Sequence, residues 1–216
     1  MFKGKVLLFS LLLVLFATSL YAGDVDDCES VVYLSNPGLR VSICPAGDFE
    51  FIYQGGGGTS DYIRVIARDA SGAGIPGIPW TDYWLNACDP GQELCLCAGA
   101  VVADSLTNGD GETTISGRIA GGGCILSGGV YVAIQGRVIL EQPDCIDPIC
   151  LDMQIVSPDI TADCAVNLSD FTQFGSTYGK VAGDTGYNSC ADYNDDDVVN
   201  LSDLAAFGGH YTHECF

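Results

Sequence analysis

The sequence that decides the C-terminal fold is DYNDDDVVNLSDL, residues 192–204, together with its counterpart DITADCAVNLSDF, residues 159–171. The two stretches start 33 residues apart, and both carry oxygen-bearing side chains at loop positions 1, 3, 5, 9 and 12. These side chains are Asp159, Thr161, Asp163, Asn167 and Asp170 in the first stretch and Asp192, Asn194, Asp196, Asn200 and Asp203 in the second. That spacing is typical of a twelve-residue calcium loop.

Calcium takes six to eight oxygen ligands at about 2.3–2.6 Å, which a tightly wound loop supplies from alternating side chains and one backbone carbonyl. Position 7 supplies the carbonyl, from Ala165 or Val198, and position 12 closes the shell with Asp170 or Asp203. Position 9 acts directly or through water. A single match arises by chance, but two in register indicate a duplicated unit. The sequence therefore predicts two calcium sites.

A helix is predicted after each loop but not before it. The spacing i, i+3, i+7, i+10, which places residues on one face of a helix, occurs at Leu168, Phe171, Gly175 and Tyr178 and again at Leu201, Leu204, Gly208 and Tyr211. Ser157 and Pro158 argue against a helix entering the first loop, as Asn188, Ser189 and Cys190 do for the second. The repeated unit is therefore a loop followed by a helix, over residues 159–180 and 192–213.

Residues 157–216 resemble a type I dockerin, whose two repeats read D-x-N-x-D-G-x-V-N-x-x-D-L. The resemblance implies that residues 151–216 form a small α-helical calcium module that docks onto a cohesin-like or cell-surface protein. In dockerins, loop positions 10 and 11 contact the partner, and the matching residues are Leu168, Ser169, Leu201 and Ser202. Their near identity implies two binding orientations. The alternative is that Leu168 and Leu201 are core residues of the module.

The two repeats depart from the dockerin pattern to different degrees. Position 3 of the first loop is Thr161, whose hydroxyl is a weaker ligand than the amide of Asn194. Position 6, normally a glycine in a sharp turn, is Cys164 or Asp197, and Asp tolerates a positive φ better than Cys. We therefore expect the second calcium site to be stronger than the first.

Residues 1–22 are typical of a secretory signal peptide. Lys3 and Lys5 precede an apolar run, and small residues lead to a cleavage site after Ala22. The run is too short to favour a membrane anchor, so we expect a secreted or cell-surface protein with no membrane span in the mature chain. Without these residues the chain has 28 acidic and 6 basic residues, a net charge of −22. That charge argues against nucleic acid as a partner.

All eleven cysteines lie in the mature chain, eight before residue 151 and three after it. In an exported protein, this density predicts disulfides. One cysteine is left over, and Cys164 is either that thiol or a link from the calcium module to another part. A zinc site at Cys95 and Cys97 is disfavoured because the pair lacks the usual two-residue spacing and no histidine lies nearby in the sequence.

Residues 23–150 are rich in glycine and turn sequences, and they predict a disulfide-rich antiparallel β-sandwich. Apolar and polar residues alternate in three runs, at Phe49–Tyr53, Ile63–Ala67 and Val130–Ile134. The glycines at 55–58 predict a hairpin loop. The stretch IRVIARDASGAGIPG, residues 63–77, resembles the strand-and-turn pattern of bacterial immunoglobulin-like domains of the invasin type, which implies an immunoglobulin-like sandwich.

Three functions compete. The favoured one is a secreted, non-catalytic calcium-binding interaction protein, because the chain's two histidines, His210 and His213, both lie beyond the β domain. A second is a carbohydrate-binding component of an extracellular polysaccharide-degrading complex, with a glycan platform of Trp80, Tyr83 and Trp84. The third, a small glycoside hydrolase, needs two carboxylates in a cleft, and nothing in the sequence selects a pair.

Overall fold

The computed structural model describes residues 23–47, 61–116, 119–141, 145 and 149–215. The predicted signal peptide at 1–22, the predicted strand at Phe49–Tyr53 and the glycine run at 55–58 lie outside the described residues. The elements are β1 (Val31–Leu34), β2 (Leu39–Ser42), β3 (Ile63–Ile66), β4 (Tyr83–Ala87), β5 (Leu94–Leu96), β6 (Glu112–Ile115), β7 (Gly121–Gly123), β8 (Val130–Ile134), β9 (Arg137–Ile139), β10 (Met153–Val156), α1 (Leu168–Thr177) and α2 (Leu201–His210).

The predicted mainly β class is confirmed. Strands β1-β3-β6 and β4-β8-β9 form two antiparallel sheets, and β5 pairs with β7. Strand β10, by contrast, runs parallel to β2, with Met153 opposite Leu39 and Val156 opposite Ser42. The predicted antiparallel sandwich covers residues 23–150, and this parallel pair adds a strand from beyond that range, for which no strand is predicted from the sequence. The immunoglobulin-like sandwich stays a prediction.

Alternating burial explains two of the predicted strands. In β3, Ile63 and Val65 are buried while Arg64 is exposed, and in β8 Val130 and Val132 are buried on one face. Both strands contribute to one apolar core that the sheets share. In the described part of the chain, no helix has the length and apolar character needed to cross a membrane.

The helices that follow the acidic loops are confirmed, since α1 begins at Leu168 and α2 at Leu201. The first loop is preceded by β10, and the second by one turn of 3₁₀ helix at Ser189–Ala191. The expectation of no helical structure before the second loop is wrong for that turn. The side chain of Asn188 accepts a hydrogen bond from the Cys190 amide at 3.1 Å, which caps the turn.

Five disulfides cross-link the chain: Cys28–Cys145, Cys88–Cys150, Cys95–Cys164, Cys97–Cys215 and Cys124–Cys190. The three cysteines beyond residue 151 all pair with cysteines that precede it. Cys164 is therefore a link to the β part and not the leftover thiol, and Cys95 and Cys97 are not zinc ligands. The eleventh cysteine is Cys44, which is fully buried.

Candidate metal centre

Each acidic loop brings three carboxylates together, and we call residues 159–170 loop 1 and residues 192–203 loop 2. Carboxylate oxygens from positions 1, 5 and 12 lie within 4.8 Å of one another in both loops. These residues are Asp159, Asp163 and Asp170 in loop 1 and Asp192, Asp196 and Asp203 in loop 2. Positions 1 and 12 are buried and position 5 is exposed. Carboxylates this close repel one another unless a cation or proton lies between them.

The two loops share one backbone turn. Position 4 has a positive φ at Ala162 (57°) and Asp195 (52°), and position 6 has one at Cys164 (71°) and Asp197 (64°). The turn at position 6 therefore forms without glycine. It directs backbone amides at the position-1 carboxylate: the amides of Asp163 and Cys164 donate to Asp159 at 3.1 and 2.9 Å, and those of Asp196 and Asp197 donate to Asp192 at 3.2 and 3.0 Å.

Position 9 is the N-cap residue of α1 and of α2. The Asn167 and Asn200 oxygens each accept a helix amide at 2.8 Å, and Asp170 and Asp203 each accept the asparagine's own amide at 2.9 Å. This is a capping box, and its N-x-x-D signal is present in both repeats of the sequence. Because the Oδ1 atoms cap helices, a cation would take a water on this side.

The amide nitrogens at position 9 close the rest of the turn. Asn167 Nδ2 donates to Asp163 Oδ2 at 3.0 Å and to the Ala165 carbonyl at 3.2 Å. Asn200 Nδ2 makes the equivalent bonds to Asp196 and to the Val198 carbonyl, both at 3.2 Å. The predicted position-7 carbonyls therefore lie beside the position-5 carboxylates.

Position 3 lies in the carboxylate group in both loops. Thr161 Oγ1 donates to Asp170 Oδ1 at 2.9 Å, and Asn194 Nδ2 donates to Asp196 Oδ2 at 3.0 Å. Each predicted ligand thus contacts at least one other ligand of its own loop. Their donor atoms are hard oxygens, which is the set that calcium prefers over softer cations.

Loop 1 lies against strand β7. A Cβ placed on Gly122 would lie 1.8 Å from Asp159 Oδ2, and the Gly123 amide donates to the Asp159 carbonyl at 2.7 Å. Burial, and after it the neighbouring charge of Asp170, raises the pKa of Asp159 to about 6. No local pattern predicts that a glycine strand packs on this carboxylate.

Loop 2 is held by a buried arginine from β2. Arg40 Nη1 donates to Asp195 Oδ1 at 2.5 Å, and Nη2 donates to the carbonyls of Ser189 and Asp192 at 2.7 and 2.6 Å. The Tyr187 hydroxyl donates to Asp192 Oδ2 at 2.7 Å. Burial, followed by this hydrogen bond, raises the pKa of Tyr187. Sequence reasoning missed both residues, because neither lies within the loop pattern.

The predicted partner-binding residues are all on the surface. Leu168 is 66% exposed and Leu201 is 68% exposed, and Ser169 and Ser202 are exposed beside them. The alternative that the two leucines are core residues is therefore wrong. An apolar groove between the helices is lined by Leu168, Phe171, Leu204, Phe207, Gly208 and Tyr211.

One residue of the predicted glycan platform, Tyr83, is buried. Tyr83 is only 3% exposed, because successive side chains of β4 point to opposite faces and place Tyr83 in the core and Trp84 outside. Trp80 and Trp84 are 53% and 41% exposed. Tyr83 is therefore not available to stack on a sugar, and a platform would consist of the two tryptophans.

No protein-family model matches the chain, and no curated protein matches it. The solved structures that are similar to it include the N-terminal and C-terminal interface mutants of a type II cohesin–X-dockerin complex from Acetivibrio cellulolyticus. Their identities are 15% and 14%, and each match covers 85% of this chain and 97% of the other chain at a TM-score of 0.29. That TM-score is too low to establish a common fold.

Proposed function

We propose that the mature chain is a secreted, non-catalytic calcium-binding interaction protein. Its dockerin-like part, residues 151–216, binds two calcium ions and presents α1 and α2 to an extracellular or cell-surface partner. The observation that carries the proposal is the repetition: both loops gather three carboxylates within 4.8 Å. Each loop then leads into a capped helix whose first residue is an exposed leucine.

The buried carboxylates explain why a cation is needed. Asp159, Asp170, Asp192 and Asp203 are fully buried and accept backbone amides, which fixes their orientation. Calcium would be held in loop 1 by its three aspartates with Thr161 and the Ala165 carbonyl. In loop 2 it would be held by the equivalent aspartates with Asn194 and the Val198 carbonyl. The ion offsets the repulsion that burial otherwise strengthens.

Calcium removal tests the metal part of this proposal. Titration calorimetry of the chelator-treated mature protein is expected to show two sites. Circular dichroism is expected to show a loss of helical signal in chelator that millimolar calcium restores, because the short helices bury few apolar side chains without the loops. An unchanged helical signal in chelator would contradict calcium-dependent folding.

A pull-down from the native secretome tests the docking part. Immobilised protein is expected to retain a partner in calcium and to release it in chelator. The double variant Leu168→Asp/Leu201→Asp is expected to retain none, since it places charge at both ends of the repeated surface. Val138→Asp, at an apolar residue of β9 that is 42% exposed, is the matched control. Recovery of the same proteins with and without calcium would remove the docking model.

The exposed pair Trp80 and Trp84 favours a second candidate, a carbohydrate-binding component of an extracellular polysaccharide-degrading complex. A glycan array with the wild type and Trp84→Ala is expected to show binding that the variant loses. Tyr33→Ala removes another exposed aromatic ring, on β1, and serves as the control. If no polysaccharide retains the wild-type protein, the platform has no role.

A further inference from the structure

A third group of metal-ligand side chains consists of one cysteine and two histidines. Cys44 follows β2, His210 ends α2, and His213 lies three residues further on. One ligand atom from each residue lies within 4.8 Å of the other two. We propose that Cys44, His210 and His213 bind a zinc ion, independently of the calcium loops.

The distances suit zinc. Cys44 Sγ lies 3.3 Å from His213 Nδ1, and the rings of His210 and His213 meet edge to face with centroids 5.3 Å apart. In a tetrahedral site with Zn–S of about 2.3 Å and Zn–N of about 2.0 Å, sulfur and nitrogen ligands lie about 3.5 Å apart. The observed sulfur–nitrogen separation therefore needs to change by only a few tenths of an ångström.

The backbone holds the ligands in place from both sides. The Cys44 carbonyl accepts the amides of Gly47 at 2.7 Å and Gly121 at 3.0 Å. The His213 amide donates to the His210 carbonyl at 3.0 Å, and the His213 carbonyl accepts the Val166 amide of loop 1 at 2.8 Å. The main chain that carries the ligands is thus held in place by hydrogen bonds on both sides, which favours a preorganised site.

The donor set distinguishes this group from the loops. One thiolate and two imidazoles suit zinc and disfavour calcium, which takes oxygen. Cys44 is fully buried in an apolar cluster with Phe174 and Phe207, whereas both histidines are partly exposed. The ion therefore enters from the histidine side and displaces the thiol proton, and a water completes the fourth position.

Cobalt is the probe for this site, because it replaces zinc and reports thiolate ligation by absorption. The full mature chain, with its disulfides intact and its loops saturated with calcium, is titrated with Co²⁺ and then with Zn²⁺. We expect a thiolate-to-cobalt charge-transfer band that zinc abolishes. Cobalt in the acidic loops would have oxygen ligands and give no such band. Absence of the band would overturn the proposal.

Variants assign the ligands. Cys44→Ser is expected to abolish the band, and His210→Gln or His213→Gln to weaken cobalt binding by more than about 100-fold, the upper end of what loss of an outer-shell partner costs. Glu214→Gln, an exposed carboxylate beside His213, is the matched control and is expected to leave the band unchanged. A band that persists in Cys44→Ser would contradict the assignment.

Two further measurements keep the test independent of variant folding and of the calcium proposal. X-ray absorption of the zinc-loaded wild type is expected to show one sulfur and two imidazoles, and an all-oxygen shell would overturn the site. The calcium isotherm of Cys44→Ser is expected to keep both loop sites. Loss of calcium binding in the wild type would therefore contradict the calcium proposal alone.

Discussion

Loop 1 and loop 2 have the same turn but are attached to the β part in different ways. Loop 1 is bonded covalently at Cys164 and lies against Gly122. Loop 2 is held by the guanidinium of Arg40, which binds Asp195 and two carbonyls. The ligand spacing therefore fixes the local turn, whereas the surroundings of each site come from strands far away in the sequence.

The charges of the two loops also differ. Loop 1 contains three aspartates and loop 2 contains five, of which Asp195 pairs with Arg40. Loop 2 therefore has four aspartates that form no ion pair with Arg40, whereas loop 1 has three aspartates. The larger negative charge gives loop 2 the stronger attraction for a cation. This difference adds to the ligand difference at Thr161 and Asn194, and the expectation that loop 2 binds calcium more tightly stays a prediction.

Arg40→Met is expected to have the largest effect on the attachment of loop 2. It leaves Asp195 and two carbonyls without their buried donor, at a cost of about 3 kcal/mol in the free energy of unfolding. The measurement is chemical unfolding in calcium. Arg64→Met removes an exposed pair with Glu112 and is expected to cost less than about 1 kcal/mol. Equal losses in the two variants would show that Arg40 does not anchor loop 2.

Gly122→Ala tests the attachment of loop 1. Because the added methyl group would overlap Asp159, we expect a loss of about 2 kcal/mol in the free energy of unfolding and a calcium stoichiometry that falls from two to one. Calorimetry measures the stoichiometry. Gly109→Ala, where a Cβ meets no atom within 4 Å, is the control. Retention of two calcium sites in Gly122→Ala would mean that β7 moves enough to accommodate the added methyl group beside Asp159.

Removal of one position-12 carboxylate at a time tests the ranking of the loops. Asp203→Asn is expected to abolish the tighter phase of calcium binding, and Asp170→Asn the weaker phase, with an affinity difference of about tenfold, or 1.4 kcal/mol, between them. Titration calorimetry of each single variant gives the affinity of the remaining site. The ranking is wrong if Asp170→Asn removes the tighter phase.

The stability of the calcium-free protein is expected to depend on pH. Asp159 has a pKa of about 6 in the fold, against its usual value of 3.8. The folded state therefore binds this proton more tightly than the unfolded chain, and the resulting stability is present below pH 3.8 and is lost as the pH rises through about 6. In chelator, we expect the Tm to fall as the pH rises over this range.

The variant Asp159→Asn and the addition of calcium test whether Asp159 causes that pH dependence. Asp159→Asn in chelator is expected to remove the fall in Tm, because the amide does not titrate. With calcium bound, the dependence is expected to reverse, since the ion requires the ionised carboxylate. A fall in Tm that survives in Asp159→Asn would assign it to other groups.

The local features of this fold follow from the sequence, and the long-range ones do not. The loop register, the start of α1 at Leu168 and the strand at Ile63 depend on neighbours within a few residues, so patterns report them. The parallel pairing of β10 with β2 joins segments more than 100 residues apart in the sequence. Nothing in a local pattern identifies such a partner.

In the candidate metal centre, too, the sequence pattern predicts the local residues but not the distant residues that contact them. Its aspartates could be named from their spacing, but Gly122, Arg40 and Tyr187 contact them from outside the repeat. The prediction that Tyr83 belongs to a glycan platform is wrong for a related reason, because an aromatic residue beside a turn does not indicate which face of β4 is covered. Burial of one face depends on which sheet packs there.

The three disulfides that join the C-terminal part to the β part have a mechanical consequence. The C-terminal part is joined to the strands by more than one flexible backbone connection, because it is also bonded through Cys95–Cys164, Cys97–Cys215 and Cys124–Cys190. A tensile load applied at α1 or α2 would therefore pass through covalent bonds into β5 and the segment after β7. A protease that cuts the backbone at residue 150 would leave both fragments joined, so a load-bearing attachment would survive the nick.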